Sequence, residues 1–468
     1  PARVMNQLTN FPEIEALRER RQPILHAPQD VHPAAAPMEI EPNISHVNAD
    51  QVWSLGHTGE GIVVANIDTG VRYTHDALVD QYRGNQGDGS FDHNYNWWDP
   101  YEGTSEPWDF EDHGSHTMGT MVGDDGGDNQ IGMAPDAEWI ACKSFEGGDV
   151  DAQLLECGQF MAAPWDLNGD NPNPDLRPDV VNNSWGDCSQ FYDPWYEGVL
   201  AAWHAAGIYP VFSNGNAGNC GYSYPPGLNT VGNPARSGDV TGVGSTGTSD
   251  GQYATHSNWG PTDDPDAVNP RGYPYLKPQV VAPGTNRSAD GSGDSAYGSM
   301  SGTSMAAPHV AGLVALMWSA APCLVGDYAT TETVIEETAV PVPYDTGNGD
   351  EGPGDVPNHA TGWGEIDALA AVQAAAALCG DGAIAGQVTD ADTGEPIAGA
   401  EILATSATDE RRTASDPEGF YALDVFSDTY DLSATAFGYA PALIPDVVAT
   451  TGLTTTQDVQ MEADTWYT

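Results

Sequence analysis

The chain has 468 residues, beyond the length at which a single hydrophobic core stops growing, so two or more domains are expected. Apolar residues make up 40% and aromatics 9%, enough for packed cores, while 68 Asp and Glu against 14 Lys and Arg leave a formal net charge of −54. Such a surface repels nucleic acid and anionic membranes, and it suits a saline external milieu as well as an ordinary acidic secreted protein.

Residues 1–40 differ from the rest: Arg18, Arg20 and Arg21 cluster, and Pro33 to Pro37 is rich in Pro and Ala, which is linker composition. The chain opens at Pro1 with no visible signal peptide, as expected of a fragment or processed form. No run of 18 or more apolar residues occurs anywhere, so no membrane-spanning helix is expected.

From Gly61 the pattern becomes α/β. Ile62 to Ile67 is a nearly continuous apolar run, as in a strand buried on both faces of a parallel sheet. Trp139 to Cys142, Val180-Val181 and Gly207 to Phe212 read as similar strands, with helical segments at Ala152–Ala162 and Val199–Ala206 between them. Strands alternating with helices indicate a doubly wound, mostly parallel sheet. Ala368 to Leu378 is an Ala-rich helix stopped at Cys379-Gly380. Beyond Gly382 come short strands with turn signals at Asp392-Thr393-Gly394 and Asp416-Pro417-Glu418-Gly419, the pattern of a small all-β sandwich.

Four segments carry candidate chemistry. Asp68 ends the Ile62–Ile67 run, and the carboxyl ends of parallel strands face the functional crevice of such folds; a turn Asp is the alternative. His113 lies in Asp112-His113-Gly114-Ser115-His116, where imidazole can serve as a base and where His116 reads as structural. Asn216 lies in Ser213-Asn214-Gly215-Asn216, where an amide can donate to an oxyanion, although Asn214 and Asn219 compete on composition alone. Ser304, in Gly302-Thr303-Ser304-Met305-Ala306-Ala307-Pro308, starts a helix, where free N–H groups favour negative charge but where Ser is also a common cap.

In order and context these segments resemble the subtilisin-like serine peptidases, the subtilases, over about residues 40–378. Asp68 to His75, His93 to Asp99 and Asn182-Asn183-Ser184-Trp185-Gly186 are similar to phrases of the bacillopeptidase F branch, and the Gly215-Asn216 pair selects Asn216 over Asn214. The resemblance implies a secreted, monomeric serine endopeptidase acting on protein or peptide substrates, with Asp68, His113 and Ser304 as triad and Asn216 as oxyanion donor. It also implies an extended substrate between Ser184-Trp185-Gly186 and Ser213-Asn214-Gly215, with the Trp185 ring either over the neighbouring subsites or in the core. A non-catalytic or adhesive surface protein on the same scaffold is the alternative, and it would need a missing triad member.

Further implications follow from the likeness. The chain's six cysteines include no CxxC, and pairs Cys142–Cys157, Cys188–Cys220 and Cys323–Cys379 are the disulfide candidates, with buried free thiols as the alternative. Asn233-Pro234 matches a position where a cis bond is expected. Structural calcium is common in the family; Ala77-Leu78 lacks the expected Asp, which leaves Asp124, Asp125 and Asp128 in an acidic loop as metal candidates, with a solvated loop as the competing reading. No organic cofactor is implied. The expected organisation is residues 1–40 as the tail of an inhibitory propeptide or a simple extension, 41–379 as the catalytic domain, and 380–468 as a sandwich. That last segment resembles the carboxypeptidase regulatory-like, transthyretin-type domain through Gly386-Gln387-Val388, Thr393 to Ala400 and Asp416 to Tyr421.

Overall fold

The structure, a computed structural model, describes residues 22–28, 30–33, 39–248, 250–268, 271–347 and 351–464. The Arg18–Arg21 cluster and most of the Pro/Ala stretch lie outside the described residues. Segments 22–28 and 30–33, read from composition as linker, contain two short strands: β1 (Ile24–Leu25) and β2 (Asp30–Pro33).

The apolar run becomes β3 (Val63–Asp68), whose residues beyond Val63 are all buried. It is central in a seven-stranded parallel sheet with β4 (Trp97–Trp98) and β5 (Glu138–Lys143) on one side. On the other side lie β6 (Val180–Asn183), β8 (Tyr209–Ser213), β9 (Thr241–Thr246) and β10 (Val280–Pro283). The strand order β10-β9-β8-β6-β3-β5-β4 reverses direction at β3, so Asp68 sits at a topological switch point. Strand β7 (Trp185–Gly186) follows β6 and pairs antiparallel with β1. Strands β11 (Thr285–Ala289) and β12 (Tyr297–Ser301) form a small antiparallel sheet with β2.

Two short helices, α1 (Pro42–His46) and α2 (Ala49–Trp53), precede α3 (His113–Val122), α4 (Val150–Ala162) and α5 (Glu197–Ala205). The long α6 (Thr303–Ala320) is buried from Thr303 to Trp318 and packs on α3 and the central strands. A helix apolar all round belongs in a core, which is what Met305 to Trp318 supplies. Helices α7 (Tyr328–Thr338) and α8 (Ala368–Leu378) follow. No helix among the described residues is long and apolar enough to cross a membrane.

The chain divides into two compact units: residues 1–320 with 325–373, and residues 321–324 with 374–468. The second unit stacks the sheet β16-β13-β19, extended by β20, on the sheet β15-β14-β17-β18. The strands are β13 (Gly382–Asp390), β14 (Glu401–Thr405), β15 (Glu410–Ala414), β16 (Phe420–Val425), β17 (Thr429–Thr435), β18 (Ala442–Val448), β19 (Thr454–Thr456) and β20 (Val459–Met461). Alternating side chains from both sheets, among them Ile384, Val388, Tyr421 and Leu432, share one core. All six cysteines are paired: Cys142–Cys157 ties β5 to α4, Cys188–Cys220 joins the turns after β7 and β8, and Cys323–Cys379 closes the second unit.

Candidate active site

Asp68 is buried at the end of β3, and its Oδ1 accepts hydrogen bonds from Thr69 N and His113 Nδ1, each at 2.7 Å. His113 is held by the way α3 starts. Thr69 Oγ1 accepts from Gly114 N at 2.8 Å, and Asp109 Oδ2 accepts from Ser115 N at 2.7 Å, satisfying two free N–H groups of the first turn. From β3, Asn66 Nδ2 donates to Gly114 O and Thr117 Oγ1, fixing the helix against the strand. Burial disfavours a charged His113 ring, but Asp68, supported by Asp109 and Glu111, outweighs it and holds the pKa above the ordinary value. Burial of Asp109 itself pushes its carboxyl up to about 6. His116, on the same helix, is fully buried and pushed down to about 3, chiefly by that burial.

Ser304 is the second residue of α6. Four residues on, Pro308 has no N–H to give, so the Ser304 carbonyl loses its helical donor. Ser184 Oγ donates to it instead, at 3.0 Å, which ties the end of the β6–β7 segment to the start of α6. Asn216 is oriented from the same helix: its Oδ1 accepts from Thr303 N at 2.9 Å and from Thr303 Oγ1 at 3.0 Å. That leaves Asn216 Nδ2 as a directed donor.

What those groups meet was not foreseen from sequence. Leu25 pairs with Trp185 and Ile24 with Gly186, and His26 N donates to Ser184 O at 3.2 Å. The His26 carbonyl oxygen then receives the Ser304 hydroxyl at 2.7 Å and Asn216 Nδ2 at 3.1 Å. Asn216 Nδ2 also lies 3.4 Å from Ala27 O. The Ser304 hydroxyl is thus hydrogen-bonded to His26 O, with Ser184 O a second acceptor at 3.3 Å, rather than to His113, whose Nε2 is buried without a hydrogen-bond partner. The His26 ring enters between the two expected cleft segments, with Nδ1 2.6 Å from Ser213 Oγ.

Of the expected cleft residues, Ser184, Gly186, Ser213 and Gly215 line the His26 segment. Trp185 contributes its backbone alone. Its ring is fully buried among Phe145, Trp195, Tyr196 and Phe212, because a side chain on that face of the strand points into the core. Asn214 also turns inward, donating from Nδ2 to Asn258 O. The only sequence signal for the 22–28 strand is the Ile24-Leu25 pair, too short for a periodicity argument.

The carboxylates of the acidic loop bond chiefly to their own turn. Asp125 uses Oδ1 for Gly127 N and Asn129 N and Oδ2 for the Asn129 amide and the Tyr297 hydroxyl, while Asp124 Oδ1 accepts from Gly126 N. Among the described residues, no three His, Cys, Asp or Glu side chains, Asp124, Asp125 and Asp128 included, converge as a metal-binding cluster. Asp124 Oδ1 and both oxygens of Asp125 are thus used in hydrogen bonds, most of them within the loop's own turn.

A parallel sheet with its site at the carboxyl ends, beside an Asp–His pair and a helix-start Ser, defines a subtilisin-type α/β fold. The Subtilase family (peptidase S8) matches residues 59–364, more than half the sequence, and the chain belongs to it. The Carboxypeptidase regulatory-like domain matches residues 383–462. Bacillopeptidase F of Bacillus subtilis (strain 168) is 38% identical over 405 residues, 84% of this chain and 26% of that protein. The Serine protease AprX of Bacillus subtilis (strain 168) is 30% identical over 298 residues, 58% of this chain and 60% of that protein. The chain therefore spans about a quarter of the length of the first of these relatives. The crystal structure of fervidolysin from Fervidobacterium pennivorans, a keratinolytic enzyme related to subtilisin, is alike in fold: TM-score 0.52 at 19% identity, covering 94% of this chain and 68% of that one.

Proposed function

We propose that the chain is a secreted serine endopeptidase that hydrolyses peptide bonds by acyl transfer. One observation carries the reading: the Ser304 hydroxyl and the Asn216 amide converge on a single peptide carbonyl, that of His26, in a strand-paired segment. In this reading Ser304 Oγ attacks the carbonyl carbon, and His113 takes its proton and later passes it to the departing amine. Asp68 keeps the His113 ring in the right tautomer and orientation, and Asn216 Nδ2 with the Ser304 N–H holds the oxyanion. The pockets for substrate are read as Ser184 to Gly186 on one side and Ser213 to Gly215 on the other. Residues 41–379 form the catalytic part, and residues 380–468 an appended sandwich without a catalytic role.

The test is casein hydrolysis together with labelling by an irreversible serine reagent. Ser304→Ala should abolish both while the circular-dichroism spectrum stays unchanged; undiminished cleavage by that variant would overturn the assignment. Asn216→Ala should keep serine labelling but lose roughly 10²–10³ in kcat, the size found for an oxyanion-hole asparagine in subtilisin.

A further inference from the structure

Resting on the peptidase reading, we propose that the pocket before the cleaved bond selects a neutral, hydrogen-bonding side chain, histidine above all, and that the chain's own His26–Ala27 bond is such a substrate. The backbone register supplies the first half of the argument. Ile24 and Leu25 add as a strand to Gly186 and Trp185, His26 N bonds Ser184 O, and the His26 carbonyl is the one both Ser304 and Asn216 address. The peptide bond that follows that carbonyl is His26–Ala27.

The pocket supplies the second half. The imidazole is 1% exposed and lies between two glycines of the cleft walls. A Cβ on Gly186 would sit 2.8 Å from the ring's Cε1 and Nε2, so a side chain there would have to displace the ring. Gly215, at φ +100°, would place a Cβ 2.6 Å from Asn258 Nδ2 and 3.5 Å from His26 Nε2. Ser213 Oγ already bonds Nδ1 at 2.6 Å. Two further polar groups face Gly215: His26 Nε2 and the fully buried Asn258 side chain, both atoms of which lack a hydrogen-bond partner. Neutral imidazole carries one donor and one acceptor, and Ser213 Oγ and the Asn258 amide can each supply either role. An aliphatic or phenyl side chain would take away the ring nitrogen that Ser213 Oγ bonds and would offer the buried Asn258 amide no polar atom to turn to, and buried unpaired polar groups are what a polar pocket penalises most. A lysine or arginine would bring a charge to walls made of glycine, hydroxyl and amide. Burial, with His113 nearby, pushes the His26 pKa down to about 3, consistent with a ring that enters uncharged.

The step balances without any group beyond water. Ser304 Oγ bonds to the His26 carbonyl carbon, and the bond from that carbon to Ala27 N breaks. The hydroxyl proton travels through His113 to the new Ala27 amine. Water then splits the ester, leaving a carboxyl on His26 and restoring Ser304.

The test uses the full chain. Intact mass and N-terminal sequencing should find a fragment beginning at Ala27 in the wild type and none in Ser304→Ala. Peptides spanning residues 23–28 are then compared with versions carrying Phe, Leu or Lys in place of His26. The His peptide should have a kcat/KM at least about tenfold higher. Ser213→Ala and Asn258→Ala should each lower the His-to-Phe ratio. Cutting at another bond of the segment, equal rates for His and Phe peptides, or a ratio untouched in both variants overturns the inference, while continued casein hydrolysis leaves the peptidase reading standing. Loss of casein hydrolysis and of serine labelling in the wild type takes both away.

Discussion

His113 shows how a single residue is tuned by opposing influences. Full burial favours the neutral ring, while Asp68 at 2.7 Å, backed by Asp109 and Glu111, favours the charged one and prevails. In the proposed mechanism His113 is the base and must be neutral, so kcat/KM should fall as pH drops through a value above the ordinary 6.5. The same shift stabilises the fold on the acid side: that contribution is full below the unfolded pKa and is lost as pH rises through the raised folded value. In Asp68→Asn, burial dominates, so the acid limb of the profile should move down, and kcat should drop by about 10⁴ because the ring loses its tautomer control. A pH–rate profile of the two proteins on a peptide substrate checks both. Asp68, His113, Asn216 and Ser304 are each ambiguous as single letters; their joint order, not any one residue's chemistry, singles them out as the proposed site. His26 was not legible, since nothing about a histidine in a Pro-rich stretch distinguishes a pocket-filling ring from a linker residue.

At the scale of elements, the proposed cleft is two backbone segments that must stay a fixed distance apart. Ser184 Oγ anchors one to the first turn of α6 through the carbonyl that Pro308 frees. The Cys188–Cys220 bond joins the turns beyond both segments across a separation of 32 residues. Replacing both cysteines by serine should cost about 3–4 kcal/mol of stability by the chain-entropy account, read as a lower urea midpoint. Because the bond braces the proposed binding segments rather than the proposed reacting groups, KM should rise more than kcat falls. The elements themselves were readable wherever burial imposed a pattern: the strands at 62–67, 139–142 and 207–212 and the helix at 368–378 appear within a residue or two. The short β1, β2 and β7 were not, because a two- to four-residue strand is defined by its partner rather than by its own periodicity.

For the whole molecule, the net charge of −54 is the governing term. With so few cations, self-repulsion among surface carboxylates opposes the compact state over any distance shorter than the screening length. That length falls from about 10 Å at 0.1 M salt to about 3 Å at 1 M. The thermal midpoint should therefore rise as sodium chloride is raised between those concentrations, measured by scanning calorimetry; a flat or falling midpoint would remove the saline-environment reading. Two of the buried cations are placed against buried acids: Lys143 lies 3.1 Å from Asp99 Oδ2 and over the Trp108 ring, and Arg287 lies 2.9 Å from Glu41 Oε1. These internal pairs are insulated from the salt that screens the surface.

The sequence by itself determined the fold class and the family and named the four residues proposed as the site, because a parallel sheet demands apolar strands and the proposed acyl-transfer chemistry demands particular residues in a particular order. It also held the sandwich, whose alternating strands and turns are local signals. Only the tertiary structure decided which segment meets Ser304 and Asn216, where the Trp185 ring goes and what the carboxylates of the acidic loop bond. Those answers depend on which distant segments meet: residues 24–26 against 184–186 and 213–216, one strand face against the core, and carboxylates against the N–H groups of their own turn. Such meetings leave no period in the chain, and packing alone selects them.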